Sequence, residues 1–177
     1  VNEEKQIEQI KNHDGGIYRI SQITTRDTRN YNITAHYNEA LAYNYQSLSS
    51  YTSCPDDVAR KFLESVGYRS EADCMNIINT SIIGADTLLG VKYILSPYEI
   101  TGYEEIEELG VYNGKKVYEN PYVVPLAFLY EPSNYQAITH SNNVFEYQNE
   151  LYSKLIGRKV EVYKKVEYSC KSEKNNL

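Results

Sequence analysis

The sequence predicts an α+β fold: a mixed β-sheet packed against a few helices in a single compact domain. Three observations predict it. Two stretches, around residues 53–66 and 143–156, carry apolar residues at helical spacing between recognisable caps. Short β-branched runs lie between them, and one Asn-Gly pair marks a tight hairpin. At 177 residues with 41% apolar content, the chain can bury a core without disulfide or metal staples.

Taken in order, residues 1–12 read as a polar helix with a thin stripe at Ile7 and Ile10, stopped by Asp14-Gly15-Gly16. Ile17 to Thr24 reads as a strand, and Thr24 to Asn38 as a polar loop. Ala42 to Ser47 is expected to be a short strand with Tyr43 and Tyr45 on one face. Ser53-Cys54-Pro55-Asp56 matches a capping box with Pro in the first turn. Val58, Phe62 and Val66 then form the core face of the helix, and Gly67 ends it. Asp86 is expected to cap a single turn closed by Gly90, a helix-cap role being the simplest reading of Asp before Thr87. Val91 to Leu95 reads as a buried strand, and Glu104 to Glu108 as a solvated turn of helix.

Asn113-Gly114 accepts the positive φ of a type I′ turn and joins Leu109–Tyr112 to Lys115–Glu119. Val123 to Tyr130 is expected to be an apolar strand, with Pro125 at an edge or bulge. Asn143 caps a helix to Ile156, with Val144, Tyr147, Leu151 and Leu155 as its stripe and Gly157 as its stop. Val160, Val162 and Val166 mark a last strand. The domain is read as residues 1–170, with 171–177 a frayed tail.

The formal charge of -6 and the lack of a basic stripe argue against nucleic acid as a partner. The balance also gives no help in binding an anionic membrane surface. Cys54, Cys74 and Cys170 form no CxxC and have no His at zinc spacing, so no metal and no cofactor are expected. One disulfide plus a thiol, or three thiols, both fit. The opening Val-Asn-Glu-Glu-Lys, without Met or apolar leader, reads as a fragment or processed product, and no stretch reaches membrane-span length.

No catalytic motif stands out. GxSxG, HExxH, Walker A and GxGxxG are all missing from the sequence. His13, His36 and His140 have no partner at helical or strand spacing. A glycosidase pair is spatial, and Asp27, Glu39, Asp86 and Glu119 are the carboxylates near strand ends or turns. The 19 Tyr, against 3 Phe and no Trp, suit sheet packing or a wet binding surface. Arg19, Tyr43, Tyr45, Asp86 and Gln148 are the candidate ligand-binding residues, although pairing with a buried acid is the simpler role for Arg19 and a bond to a neighbouring loop for Gln148.

Several segments resemble a known family. Gly16-Ile17-Tyr18-Arg19-Ile20 is similar to the strand that opens the extracytoplasmic part of YfhO-family proteins. Asn44-Tyr45 through Ser49-Ser50-Tyr51-Thr52-Ser53 is similar to that family's Tyr- and Ser-rich stretch before a helix. The sharpest likeness is Asp86-Thr87-Leu88-Leu89-Gly90-Val91-Lys92-Tyr93-Ile94. Val117-Tyr118-Glu119-Asn120-Pro121, Pro125-Leu126-Ala127-Phe128 and Phe145-Glu146-Tyr147-Gln148-Asn149-Glu150-Leu151 follow in order. The resemblance implies a polytopic membrane protein of GT-C-like architecture. It further implies sugar transfer from a polyprenyl-phosphate donor and an association with glycosylation of lipoteichoic acid or other envelope polymers in Gram-positive bacteria. The catalytic acid of such enzymes belongs to a loop between early membrane helices, so no catalytic residue is carried onto this chain.

On that resemblance the chain is expected to be a non-catalytic domain on the extracytoplasmic face. Its partners would be the parent membrane domain and an envelope glycan or teichoic acid. Two other readings compete: a carbohydrate- or protein-binding module using exposed Tyr, and a soluble hydrolase with a hidden carboxylate pair.

Overall fold

The central feature is a four-stranded mixed sheet in the order β1-β4-β6-β5, formed by Arg19–Gln22 (β1), Val91–Ser96 (β4), Lys116–Glu119 (β6) and Glu104–Glu105 (β5). The computed structural model describes residues 2–23, 38–51, 54, 56–68, 75–76, 80–130, 138 and 141–167. β1 runs parallel to β4, while β4–β6 and β5–β6 are antiparallel. A parallel neighbour needs a crossover. Here the chain between β1 and β4 supplies α2 (Glu39–Ala42), β2 (Ser50–Tyr51), α3 (Asp57–Ser65), β3 (Met75–Asn76) and α4 (Ile83–Leu88). β2 and β3 pair as a separate antiparallel ribbon. β4 lies inside the sheet, which is why its apolar run is buried: Val91, Tyr93, Ile94 and Leu95 are each at most 1% exposed.

The core divides into two clusters. α1 (Asn2–His13) lays Ile7 and Ile10 on Ile20, Tyr93, Leu95 and Val117. A second cluster joins Val66 and Tyr68 after α3, Ala85 of α4, and Tyr147 and Leu151 of α5 (Val144–Ile156). α5 follows its sequence signals closely. The Asn143 side chain accepts from the N–H groups of Phe145 and Glu146, and Gly157 takes the left-handed conformation at φ 74°. The hairpin is also as expected, with Tyr112 and Lys115 exchanging both backbone bonds around Asn113 (φ 50°) and Gly114 (φ 71°).

Other expectations are corrected. The Ala42–Ser47 strand is absent. Glu39-Ala40-Leu41-Ala42 are good helix formers and make α2, and Asn44 turns the chain at φ 53° before Gln46 bridges Arg19. α3 begins three residues later than the expected capping box. Asp56 is its cap, accepting from Val58 and Ala59 N–H, so Val58 rotates outward and is 78% exposed while Val66 is buried. The acidic run at 104–109 splits into β5 and a 3-10 turn, Glu107–Leu109, so the hairpin arm before Tyr112 is not an extended strand. Val123–Tyr130 forms no strand, because the sheet offers it no long free edge. β1's outer side is met at Gln46, β5 is two residues long, and Pro125 removes a donor. Val160 to Val166 also forms no strand: it lies against α5 through side-chain bonds from Asn149 and Ser153. Cys54 is exposed and free, whereas Cys74, Cys170, His36, His140 and Asp27 lie outside the described residues.

Candidate functional site

The candidate residues fall into two groups rather than one site. Arg19 and Tyr45 belong to the α1–β1 side, together with Tyr43, whose ring packs on the α1 core. Arg19 runs past the sheet edge and its Nη1 donates to the Leu89 carbonyl, a structural tie from β1 to the end of α4. Its backbone N–H donates to Gly90 O at 2.8 Å. Arg19 is thus bound to a backbone carbonyl rather than to a buried acid. Tyr43 offers its carbonyl to Lys11 Nζ at 2.9 Å. Tyr45 accepts from Gln22 Nε2 at 3.1 Å through its hydroxyl oxygen.

Beside them lies a cleft of about 250 Å³, lined among others by Lys11, Asp14, Tyr18, Asn44, Tyr45 and Gln46. Asp14 organises its wall. Its carboxylate accepts from Gly16 N–H at 2.8 Å, from Tyr93 at 3.1 Å and from Lys92 Nζ at 2.5 Å. The Lys92 bond holds the Asp14 pKa below its ordinary value, against the opposing effect of burial. Burial is the largest single influence on Lys92 and works against its charge, but Asp14 and Tyr93 together outweigh it and raise the lysine's pKa. Lys92 also sits 5.3 Å from the Tyr93 ring centre. Asp14 is therefore held as a partner in an ion pair, not poised as a base. Sequence reasoning took it only as a helix stop; its one signal was an acid placed directly before Gly15-Gly16.

Asp86 and Gln148 form the other group. Asp86 is not a helix cap. It lies within α4, 1% exposed, and its carboxylate reaches back to accept from Ile82 N–H at 2.8 Å. It also accepts from Tyr68 (2.5 Å), Tyr103 (2.7 Å) and Ser81 (2.8 Å) hydroxyls. Among the described residues no cation contacts it. Burial is the largest influence and pushes its pKa up; the hydroxyl donors and the Ile82 N–H pull it partly back. Burial likewise raises Tyr68 and Tyr103, with the Asp86 charge adding to it. Gln148 is 1% exposed and donates to Val66 O at 2.9 Å, which is the loop role expected for it.

Gly84 is the point where α4 meets this group. Tyr152 donates to its carbonyl at 2.6 Å, and its N–H donates to the Tyr163 hydroxyl at 2.9 Å. A Cβ there would lie 2.5 Å from Gln148 Oε1 and 2.7 Å from Tyr163 Oη. Gly84→Ala is therefore expected to destabilise by about 1–3 kcal/mol, although alanine is the better helix former by about 1 kcal/mol. Thermal unfolding checks this, and a raised Tm would contradict the close approach.

The remaining carboxylates are also engaged. Glu39 accepts from Gln22 Nε2 at 2.7 Å, and Glu119 lies 3.5 Å from Lys92 Nζ. His13 sits 3.8 Å from Glu108 at the surface. Among the described residues no three His, Cys, Asp or Glu gather as a metal site would require, and no helix is long and apolar enough to cross a membrane.

Fold and polar clusters together define an α+β domain that commits its buried carboxylate to internal hydrogen bonds and presents a small tyrosine-lined cleft. The family model for the bacterial membrane protein YfhO matches residues 1–176. The chain belongs to the YfhO family of bacterial membrane proteins. No curated protein and no solved structure matches it.

Proposed function

We propose that this chain is a non-catalytic, extracytoplasmic domain of a polytopic, glycosyltransferase-like membrane protein that acts in glycosylation of a cell-envelope polymer, lipoteichoic acid being the acceptor. The observation that carries the reading is the family match along residues 1–176. Two surface features support it. The cleft beside Tyr18 and Tyr45 mixes aromatic rings with Lys11, Asn44 and Gln46, a composition suited to sugar hydroxyls. The 122–130 segment leaves Tyr122, Phe128, Leu129 and Tyr130 between 44% and 101% exposed, an apolar loop that the parent membrane domain would cover.

The test is sugar transfer onto lipoteichoic acid in membranes carrying the whole parent protein. Ile17→Ala combined with Gln46→Ala alters only exposed cleft residues. The pair is expected to lower transfer several-fold without lowering the amount of protein, while the isolated chain transfers nothing. Undiminished transfer by the variant removes the cleft from the reaction. Turnover by the isolated chain overturns the non-catalytic role.

Exposed Tyr98 and Tyr122, at 64% and 65%, favour a second reading as a carbohydrate- or protein-binding module.

A further inference from the structure

We infer that residues 158–166, together with the N-terminal half of α5, form a surface that docks on a bilayer carrying anionic phospholipid. The whole-chain charge hides a division along the sequence. Residues 154–177 carry seven Lys and Arg against three Glu, whereas the first 153 residues carry eleven against 21 acids. Within the described part of that segment, Arg158, Lys159, Lys164 and Lys165 are all exposed. Lys159 pairs with Glu161 at 3.3 Å. Arg158, Lys164 and Lys165 have no ion pair among the described residues.

The same surface is apolar between its charges. Phe145 is 49% exposed, Val162 39% and Val166 80%. Phe145, Tyr163, Lys164, Lys165 and Val166 line a groove of about 770 Å³. Its two acids are satisfied internally, Glu146 by Ser141 Oγ at 3.0 Å and Glu161 by Lys159. The lysines are what remains for an outside partner.

The surface is also held in place. Asn149 bonds both the N–H and the carbonyl of Tyr163, at 2.9 and 2.8 Å, and the Tyr163 hydroxyl accepts from Gly84 in α4. Tyr163 in turn meets Phe145, the ring centres 4.9 Å apart and the planes tilted by 54°. A fixed face of free lysines interleaved with valine and aromatic rings matches the headgroup layer, where phosphate meets acyl chain. A soluble anion would engage the lysines alone and give the exposed apolar groups no role. The inference does not rest on sugar transfer: vesicle binding could hold even if the parent transferred no sugar.

The experiment is co-sedimentation of the full 177-residue chain with phosphatidylcholine vesicles, with and without phosphatidylglycerol. Binding is expected only with phosphatidylglycerol and should weaken as salt is added. Lys164→Gln with Lys165→Gln should lower affinity roughly 25-fold, about five-fold per lysine. Lys5→Gln with Lys61→Gln, exposed lysines on α1 and α3, should have little effect. Phe145→Ser tests the apolar part and should also weaken binding. The lysines are exposed and Phe145 is 49% exposed, so circular dichroism should confirm an intact fold for each variant. Equal binding to both vesicle types overturns the inference. So does equally tight binding of soluble poly(glycerol phosphate) that ignores Phe145→Ser, since the surface would then read a phosphate polymer.

Discussion

Asp86→Ala is expected to lower the free energy of unfolding by about 3–5 kcal/mol. The carboxylate is the shared acceptor for three hydroxyls and one backbone N–H. Tyr68 is 3% exposed, so without Asp86 its hydroxyl has no water to turn to. The Ile82 N–H, at the start of α4, loses its partner at the same time. A domain of this size holds about 5–15 kcal/mol in total, so urea unfolding should show a much lower midpoint.

Asp86→Asn preserves the shape and separates the charge from the packing. Because burial raises the Asp86 pKa in the folded state, protonation favours the folded form. The stability this gives is complete below the unfolded value of 3.8 and is lost as pH rises through the folded pKa. Asparagine has no such dependence. The stability gap between the native chain and Asp86→Asn should therefore be wider near about pH 4 than near about pH 7. Asp14 runs the other way. Its pKa is lowered chiefly by Lys92, so its contribution is present above 3.8 and lost as pH falls through the folded value. A gap at Asp86 that widens toward neutral pH would falsify the dominance of burial over the four donors.

This Asp86 cage also shows where a sequence stops being informative. The signals that act over four or five residues are legible: the Asn143 cap, the Gly157 stop, and the Asn113-Gly114 turn all form as their chemistry requires. The central apolar strand at 91–96 is legible too, because a run of that length must be buried. Partners distant in the chain are not. Tyr68 and Tyr103 lie 18 and 17 residues from Asp86, and nothing local in the chain points them toward it. Asp86 followed by Thr87 looks like a cap from the chain alone; the structure starts the helix earlier and turns the side chain inward. Apolar runs are equally ambiguous at the edges. Val123–Tyr130 and Val91–Leu95 look alike in composition, but only the second meets strands on both sides. Of the candidate site, Tyr45 lines the cleft, while Lys11, Asp14 and Tyr18 were invisible as a group because residues 11–20 meet residues 44–46 only in the folded chain.

Lys115 is the clearest case of a residue whose environment contradicts its type, and it carries the second large effect. A lysine beside a hairpin turn should be solvated, yet Lys115 is 0% exposed. The type I′ turn fixes its direction. It is the first residue after Gly114, and its carbonyl accepts from Gln6 of α1 at 3.0 Å, so the side chain is carried beneath the sheet. There Nζ donates to Gln22 Oε1 at 2.8 Å, and Gln22 passes the polarity on by donating to Glu39, itself 5% exposed. The chain Lys115–Gln22–Glu39 thus links a buried cation to a buried anion through one amide. Lys115→Met keeps the volume but removes the donor to the buried Gln22 Oε1, and a loss of about 1–3 kcal/mol is expected. Glu39→Gln on its own should also destabilise, because it replaces the charged acceptor of the Gln22 amide. The double variant removes both charges, and its cost should fall short of the sum by about 1–3 kcal/mol in a double-mutant cycle. Strict additivity would mean that Lys115 and Glu39 do not sense one another across Gln22, and the pairing would have to be abandoned.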